Sequence, residues 1–354
     1  MPHLVAAPDK YRGTATAAQV AGAMVRAALA RGWTADAVPM ADGGEGTLEA
    51  LAPLGVRRVT PVLGPLGRPV AAEWLLLAGG TARRLGSDGP TAVVEAAQAV
   101  GRALLPVPRG DDPLRATTAG VGELIMAAAD AGATTIVVAV GGTATTDGGS
   151  GAVAAIGGPD RLRGARLVVA CDVTTRFAGA AATFAPQKGA SPAQVDVLAR
   201  RLAALADRYL DEHGVDLDRL TGAGAGGGLA GGLAALGGRL VAGYDLVARA
   251  VDLPGRLATA TAVATGEGRL DATSFEGKVV GGVAAAAGRV PVVCLPGSVA
   301  PGTRVPARYR RGPCPLEVHS LTDAVGEAVA RTTTASSVAT VLGRWLDRWP
   351  PAGP

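Results

Sequence analysis

Residues 34–51 read TADAVPMADGGEGTLEAL and combine a predicted strand, an acidic glycine loop and a helix start. The short, largely apolar stretch 34–40 predicts a strand. A helical pattern begins after Gly46, so Leu48 and Glu49 fall within the predicted helix. Between these elements Asp42 and Glu45 stand among three glycines, whose bare backbone a ligand could approach closely. This strand–loop–helix order is typical of α/β proteins.

The N-terminal stretch has the same order. HLVAAPD, residues 3–9, is an apolar run that predicts a buried strand. After the loop KYRGT, Thr16 can cap a helix in which Val20 and Met24 follow helical spacing and which Gly32 ends. Two successive strand–loop–helix units predict the start of a parallel α/β sheet.

The middle of the chain changes character before the α/β pattern returns. Residues 61–85, PVLGPLGRPVAAEWLLLAGGTARRL, predict paired strands rather than a crossover unit. Residues 192–210 form an amphipathic pattern with five apolar residues near one face: Val195, Leu198, Leu202, Leu205 and Leu210. The stretch 221–238 predicts a glycine loop that leads into a close-packed helix.

Composition excludes several classes of protein. The 354 residues are 48% hydrophobic but only 3% aromatic, so the core must consist of Ala, Val and Leu. The net charge of +4 comes from scattered arginines without a basic run, which argues against nucleic-acid binding. The three cysteines, Cys171, Cys294 and Cys314, are scattered without the spacing of a metal site, which is typical of reduced thiols. With neither a signal peptide nor a membrane span in the sequence, we expect a cytoplasmic protein that binds no membrane.

Four loops share one design, because each follows a predicted strand and carries acids among small residues. Ligands of open parallel sheets bind at the carboxyl ends of the strands, so we expect these loops to converge on one site. An acidic site that also binds anions requires a divalent cation, and Mg²⁺ is held by one or two carboxylates plus phosphate oxygens. The loops are APDKYRG, MADGGEG, VGGTATTDGG and ATGEGRLD.

Lysine is rare, and its positions are informative. Lys10, Lys188 and Lys278 all lie in or near glycine-bearing segments, while arginine supplies most other positive charge. A compact ammonium group at such places favours phosphate contact. Each loop also has a simpler interpretation: a capped turn for MADGGEG, a ligand-free turn for GGTATTDGG and a salt-bridged turn at Arg269.

Other catalytic motifs are absent from the sequence. GTATTDGG lacks the Gly-Lys-Ser/Thr ending of a Walker A loop, and no GxSxG elbow occurs. The three histidines, His3, His213 and His319, show no shared spacing, so a zinc site is not expected. A carboxylate must then act as the proton acceptor.

Nine motifs follow one another along the chain: APDKYRGT, PMADGGEGT, TTAGVGELI, VGGTATTDGG, ACDV, FAPQKGAS, GAGAGGGL, TGEGRLD and GKVVGGVA. In this order and spacing they resemble the bacterial glycerate kinase family, the type distinct from protein kinases and P-loop enzymes. The resemblance runs from about residue 3 to residue 298, while the last fifty residues match only as a strand and a helix.

The resemblance implies phosphorylation of D-glycerate by ATP with Mg²⁺, in most members at the 2-hydroxyl. It also implies two α/β domains, one with a Rossmann- or flavodoxin-like parallel sheet and one with a mixed sheet, and a cleft between them. We assign residues 1–58, 112–150 and 255–354 to the first domain, and residues 59–111 and 151–254 to the second. A homodimer is compatible with the sequence.

The sequence departs from the family pattern in two ways. The segment between Ser150 and Cys171 is compressed, so a helix is expected to be shortened or lost. Thr146, Arg12 and Ala185 stand where the family often has Asn, Lys and Gly. These departures bear on packing and oligomer contacts more than on the chemistry.

Residue types and loop positions give each candidate a role, and the resemblance supports the motifs rather than the single roles. We expect Asp42 or Asp271 to accept the hydroxyl proton, with Lys278 also catalytic, and Lys188 and Lys278 to face phosphates. Two alternatives remain: a non-catalytic regulator that binds nucleotide or hydroxy acid, and a kinase for another small hydroxy acid. The other predicted sites are Asp9, Lys10, Arg12 and Arg269 for D-glycerate; Gly43, Gly44, Gly142, Thr143, Thr145, Lys188 and Gly266 for ATP; and Glu45, Asp147, Asp172 and Glu267 for Mg²⁺.

Overall fold

A computed structural model describes residues 1–105, 112–310 and 316–349 and divides the chain into two compact units. Unit 1 comprises Met1–Asp42, Glu49–Leu51 and Val247–Pro354, and unit 2 comprises Gly43–Leu48 and Ala52–Leu246. Both units are α/β, as predicted from the sequence.

The described strands are numbered in chain order. They are β1 His3–Ala6, β2 Thr34–Ala37, β3 Gly55–Leu63, β4 Pro69–Leu77, β5 Thr91–Glu95, β6 Thr135–Ala139, β7 Arg166–Cys171, β8 Arg239–Ala242, β9 Ala262–Thr265, β10 Arg269–Leu270, β11 Val292–Cys294, β12 Ser298–Val299 and β13 Glu317–Val318.

The described α-helices are numbered in the same way. They are α1 Ala17–Leu29, α2 Thr47–Leu51, α3 Gly79–Arg84, α4 Ala96–Val100, α5 Asp112–Arg115, α6 Ala119–Asp130, α7 Ser150–Ile156, α8 Ala180–Phe184, α9 Pro192–His213, α10 Leu229–Ala235, α11 Gly243–Ala250, α12 Leu253–Leu257, α13 Val279–Ala286, α14 Ala307–Arg310, α15 Leu321–Val325, α16 Glu327–Thr332 and α17 Thr334–Leu346.

Single 3₁₀ turns complete the helical segments. They are Ala52–Leu54, Arg102–Leu104, Pro159–Leu162, Pro186–Lys188, Leu217–Arg219 and Ala272–Phe275. Among the described residues, no helix combines the length and apolar character that crossing a bilayer requires.

Unit 1 is built on a five-stranded sheet in the order β13-β11-β9-β1-β2, with every pairing parallel. Counted in chain order within the sheet, this is the flavodoxin-like order 2-1-3-4-5, which confirms the predicted fold class. The order reverses between β1 and β9, the first and third strands of the sheet. A crevice for ligands lies outside the carboxyl ends at such a point.

Helix α1 forms as the sequence predicts. The Thr16 hydroxyl accepts a hydrogen bond from the Gln19 amide at 3.2 Å, and the Gln19 side chain accepts one from the Thr16 amide at 3.0 Å. This capping box satisfies amides that would otherwise lack partners at the helix start. Val20 and Met24 are fully buried and pack in the unit 1 core together with α17.

Unit 2 is built on a six-stranded mixed sheet in the order β3-β4-β5-β6-β7-β8. Strands β3 and β4 form the predicted antiparallel pair, in register from Gly55 opposite Leu77 to Leu63 opposite Pro69. Strand β4 also pairs antiparallel with β5, whereas the other pairings are parallel.

Residues 43–48, 52–58 and 112–150 lie in unit 2 rather than in the first domain, and residues 247–254 lie in unit 1 rather than in the second. For residues 112–150 the reason is strand pairing, because β6 hydrogen-bonds with β5 on one side and β7 on the other. The preceding helix α6 packs on the same sheet and against α7. Its side chains therefore belong to the unit 2 core.

Helix α9 is the predicted amphipathic helix, with one change in its buried face. Leu198, Leu202 and Leu205 are buried, as the spacing predicts. Leu210, however, is 46% exposed, and its neighbour Tyr209 is buried instead. Tyr209 lies eleven positions after Leu198, or three turns of an α-helix, so it continues this face more closely than Leu210 does.

The compressed segment between Ser150 and Cys171 contains α7, a helix of seven residues, followed by the 3₁₀ turn Pro159–Leu162. Arg163 then adopts a left-handed backbone conformation, with φ of 54°, before β7 begins. Cys171 and Cys294 are free thiols, as expected, and Cys314 lies outside the described residues.

Gly120 in α6 allows the helix to approach the backbone of β3. A Cβ atom at this position would overlap the carbonyl oxygen of Leu63. We expect Gly120→Ala to destabilise the protein by about 2 kcal/mol, because a backbone atom cannot move aside as a side chain does. Urea unfolding followed by circular dichroism measures the change.

Gly80→Ala in α3 is the matched control, because the nearest atom to its Cβ would be the Arg84 guanidinium at 3.8 Å. Alanine favours helix over glycine by about 1 kcal/mol, so this variant should be as stable as the parent or more stable. Equal stability of the two variants would contradict the close approach of α6 to β3.

Candidate active site

The candidate site of unit 1 lies where the sheet order reverses. The loop after β1 carries Asp9 and Lys10, and the loop after β9 carries Gly266 and Glu267. The Asp9 amide donates a hydrogen bond to the Gly266 carbonyl at 2.9 Å, so the two loops are tied together. Residues that are far apart in the sequence meet here because β1 and β9 are neighbours in the sheet.

These loops surround a cavity of about 730 Å³ within unit 1. Eight of the predicted site residues line it, and Gly266 lies behind them in the backbone contact just described. The eight are Asp9, Lys10, Arg12, Asp42, Glu267, Arg269, Asp271 and Lys278.

Asp9 is a buried carboxylate close to a second acid. Burial raises its pKa to about 6, the charge of Lys10 lowers it, and the negative charge of Asp42 raises it. The Lys10 ammonium lies 3.8 Å from the Asp9 carboxylate. Asp9 and Asp42 therefore share one electrostatic environment, as the convergence of the two loops predicts.

Glu267 has a buried oxygen, Oε1, with no hydrogen-bond partner among the described residues. Burial raises the pKa of Glu267 to about 7, against a hydrogen bond from Ser274 that lowers it. A buried carboxylate oxygen without a donor is costly unless a cation or a proton meets it. Such an atom fits the role of a ligand to a divalent cation. A Mg²⁺ site needs only one or two protein carboxylates as ligands.

Asp271 has a structural role in the local backbone. Its carboxylate accepts hydrogen bonds from the Thr273 amide at 2.9 Å and the Thr273 hydroxyl at 2.7 Å, which caps the 3₁₀ turn Ala272–Phe275. The hydrogen bond from the Thr273 side chain is the main cause that lowers its pKa. A carboxylate held in this way is a weak proton acceptor.

Lys278 stands at the N-cap of α13 and donates a hydrogen bond to the Thr273 hydroxyl at 2.9 Å. Lys278 thus directly precedes the start of a helix, where the backbone dipole favours anions. Arg12 and Arg269 line the same cavity with exposed guanidinium groups that make no hydrogen bond or ion pair with a described residue.

Sequence reasoning missed several residues of this cavity. Thr322, Glu327 and Arg331 line it from α15 and α16, which contain no glycine loop that could have marked them. Tyr11 is fully buried, and its hydroxyl donates a hydrogen bond to the Leu295 carbonyl.

The remaining candidates lie in unit 2, where the loop 43–48 meets the loops after β5 and β6. Gly141 lies against the backbone of Gly44, and Gly142 lies against Glu45. Glu95, at the end of β5, accepts hydrogen bonds from the Gly46 amide at 3.1 Å and the Leu48 amide at 3.0 Å. This buried acid holds the acidic glycine loop in place, and the sequence analysis did not single it out.

Lys188 is buried in unit 2 and joins two glycine loops. Its ammonium donates to the Thr145 carbonyl and to the Thr143 hydroxyl at 3.3 Å, and Thr143 donates to the Gly226 carbonyl at 3.2 Å. Burial lowers the pKa of Lys188 to about 7. The side chain that was expected to face phosphate thus also holds the backbone of these loops.

Asp147 also has several donors. Its carboxylate accepts hydrogen bonds from the amide and hydroxyl of Thr118 at 2.8 and 2.9 Å, and from the Gly149 and Gly151 amides at 3.1 and 3.2 Å. Four donors leave little room for a metal on this group. Asp172, the other acid predicted for Mg²⁺ here, directly follows β7. In the part of the chain that the structure describes, no three His, Cys, Asp or Glu side chains form a metal-ligand group.

Comparison with known proteins identifies the family. The profile described as "Glycerate kinase family" matches residues 4–159 and 158–333. The chain belongs to the glycerate kinase family. It is accordingly a kinase, a phosphotransferase with an alcohol group as acceptor, which confirms the resemblance noted from the sequence motifs.

Similar members of the glycerate kinase family cover most of the chain. The glycerate 2-kinase of Escherichia coli K12 is 38% identical, over 84% of this chain and 85% of its own. The glycerate kinase of Bacillus subtilis 168 is 37% identical over the same shares. A crystal structure of a protein assigned as glycerate kinase 2 from Salmonella typhimurium LT2 is 32% identical, with a TM-score of 0.76 over 99% of this chain and 100% of that one.

The raised pKa values of Asp9 and Glu267 predict that unit 1 loses stability as pH rises. Each folded-state pKa exceeds the ordinary value of 3.8 or 4.5, so the folded form holds protons that the unfolded chain releases. The stability is present below about pH 4.5 and is lost as pH approaches 7, by on the order of 2 kcal/mol. Thermal unfolding in EDTA without nucleotide, from pH 5 to pH 7, measures the loss.

Glu267→Gln mimics the protonated side chain and should flatten this pH profile, leaving the part due to Asp9. Glu276→Gln, at an exposed position nearby, is the matched control and should keep the profile of the parent. A parent protein whose midpoint rises from pH 5 to pH 7 would contradict the assignment.

Proposed function

We propose that this member of the glycerate kinase family transfers the terminal phosphoryl group of ATP to the 2-hydroxyl of D-glycerate, with Mg²⁺ as cofactor. The observation that carries the proposal is the unit 1 cavity, which brings acids and cations to the switch point of a parallel sheet. The name of the Escherichia coli relative, glycerate 2-kinase, supports the position of transfer.

Asp42 is the proposed proton acceptor. It lines the cavity close enough to Asp9 for its charge to raise the pKa of that group. Asp271, the other candidate from the sequence, already caps a turn through two hydrogen bonds from Thr273. A carboxylate that faces the cavity can take the hydroxyl proton as the acceptor oxygen attacks phosphorus.

Glu267 is the proposed Mg²⁺ ligand, because its Oε1 atom is buried without a hydrogen-bond donor in the described structure. Mg²⁺ bound there would neutralise negative charge on the transferred phosphoryl group. Lys278 and the start of α13 would hold phosphate oxygens in the same cavity.

Arg12 and Arg269 supply positive charge for the substrates. Their guanidinium groups line the cavity and are not engaged with other described side chains. Guanidinium groups bind carboxylate and phosphate oxygens in pairs of parallel hydrogen bonds. The cavity volume lies within the range of small-molecule sites and exceeds what glycerate alone would fill.

Two other functions make different predictions. A non-catalytic regulator would bind ATP or D-glycerate without releasing ADP, and a kinase for a different hydroxy acid would phosphorylate another member of a hydroxy-acid panel faster. The three residues predicted to be catalytic, Asp42, Asp271 and Lys278, all line the cavity, which favours catalysis.

Phosphorus NMR of a reaction of the protein with ATP, Mg²⁺ and D-glycerate tests the proposed reaction. We expect ADP and a new monoester signal that matches 2-phosphoglycerate. A 3-phosphoglycerate signal would contradict the position of transfer, and unchanged ATP would contradict the activity.

Asp42→Asn should lower the turnover number about 10²- to 10⁴-fold, since an amide cannot accept the hydroxyl proton. Circular dichroism should show the fold intact, because asparagine keeps the size of the side chain. Asp88→Asn, at an exposed turn of unit 2, is the control and should match the parent in a coupled ADP-release assay. Parent-like steady-state kinetics of Asp42→Asn would refute this role.

A further inference from the structure

One wall of the unit 1 cavity comes from the C-terminal helices, outside all nine sequence motifs. Thr322 of α15, Glu327 and Arg331 of α16, and Thr334 of α17 line it. We propose that Arg331 binds the carboxylate of the acceptor and makes the site selective for acidic over uncharged hydroxy compounds. This inference rests on the proposed phosphorylation of D-glycerate.

Backbone contacts fix this wall relative to the catalytic loops. The Thr322 amide and hydroxyl both donate to the Gly297 carbonyl, at 3.0 and 2.8 Å. The Gly297 amide in turn donates to the Glu267 carbonyl at 2.9 Å. The start of α15 is therefore two hydrogen bonds away from Glu267.

Helix α16 is itself held in position. Ala330 is buried, and the Thr334 hydroxyl donates to its carbonyl at 2.7 Å, which joins α16 to α17. Helix α17 packs on α1 in the unit 1 core. The Arg331 guanidinium thus extends from a backbone that the core fixes, while the side chain itself remains exposed.

The charges in the cavity show why an additional cation is needed. Five acids line the cavity and would repel the carboxylate of an acceptor: Asp9, Asp42, Glu267, Asp271 and Glu327. An acceptor acid can bind there only if a cation offsets its charge. Lys10 already pairs with Asp9, and Lys278, which donates to the neutral Thr273 hydroxyl, is assigned to the phosphate oxygens.

Three guanidinium groups that line the cavity, those of Arg12, Arg269 and Arg331, make no hydrogen bond or ion pair with a described residue. Arg269 directly follows Gly268, and a Cβ atom added at Gly268 would lie 3.1 Å from the Arg12 amide. Arg12 and Arg269 therefore both belong to the loops that carry the acids. Arg331 comes from a separate helical wall. It can therefore hold the acceptor carboxylate while the loop arginines contact the transferred phosphate.

Arg331→Gln tests the assignment with two acceptors of equal size. For D-glycerate, kcat/KM should fall about 10- to 100-fold, the effect expected for loss of a charge-assisted hydrogen bond, mainly through a higher KM. For D-glyceramide, in which an amide replaces the carboxylate, kcat/KM should stay unchanged. Arg331→Lys should fall between the parent and Arg331→Gln, since it keeps the charge without the paired donors.

Arg344→Gln, at an exposed position of α17 outside the cavity, is the matched control and should keep the parent preference for D-glycerate. An equal loss with both acceptors in Arg331→Gln, or no loss with D-glycerate, would overturn the inference.

Calorimetric binding of D-glycerate separates this inference from the proposed function. A parent protein that binds D-glycerate but does not phosphorylate it would refute the proposed function, and selective loss of that binding in Arg331→Gln would still support the arginine. A parent protein that neither binds nor phosphorylates D-glycerate would overturn both.

Discussion

The backbone contact between the loops that follow β1 and β9 is the constraint on which the unit 1 site depends. The Asp9 amide donates to Gly266, and the Thr265 hydroxyl donates to the Ala7 carbonyl at 2.8 Å. These bonds hold two acids, Asp9 and Glu267, at positions where burial raises the pKa of both. Because neighbouring parallel strands end at the same edge, the sheet fixes the positions of the two loops, and the loops carry the charged side chains.

Unit 2 uses charged groups mainly to hold its own glycine loops. Glu95 accepts hydrogen bonds from two amides of the segment 46–48, and Asp147 accepts hydrogen bonds from four donors. Lys188 connects the loop at Thr143 with the loop at Gly226. A loop of glycines loses much conformational freedom on folding, and buried charge-assisted hydrogen bonds offset that cost. Their acids and lysine therefore serve the fold whether or not they also meet a ligand.

Sequence patterns predict the elements of this chain better than their partners. Buried parallel strands such as β1 and β9 read as short apolar runs, so their existence and the loops after them could be predicted. The placement of residues 112–150 could not be, because periodicity identifies β6 as a strand without indicating which of two sheets it joins. Arg331 was missed since it lies on an ordinary helix, whereas Glu95, an acid at the end of the apolar run TAVVE, carried a signal that could have been used.

The three lysines have a practical consequence for work with this protein. Lys10 and Lys278 line the unit 1 cavity, and Lys188 is buried between the glycine loops of unit 2. Amine-directed reagents used for fluorescent tagging, surface coupling or cross-linking would thus find no lysine outside the unit 1 cavity and the unit 2 glycine loops. Apart from the chain terminus, every such adduct would fall in the unit 1 cavity or among the glycine loops of unit 2, so attachment through an introduced surface cysteine or a terminal tag is the safer chemistry.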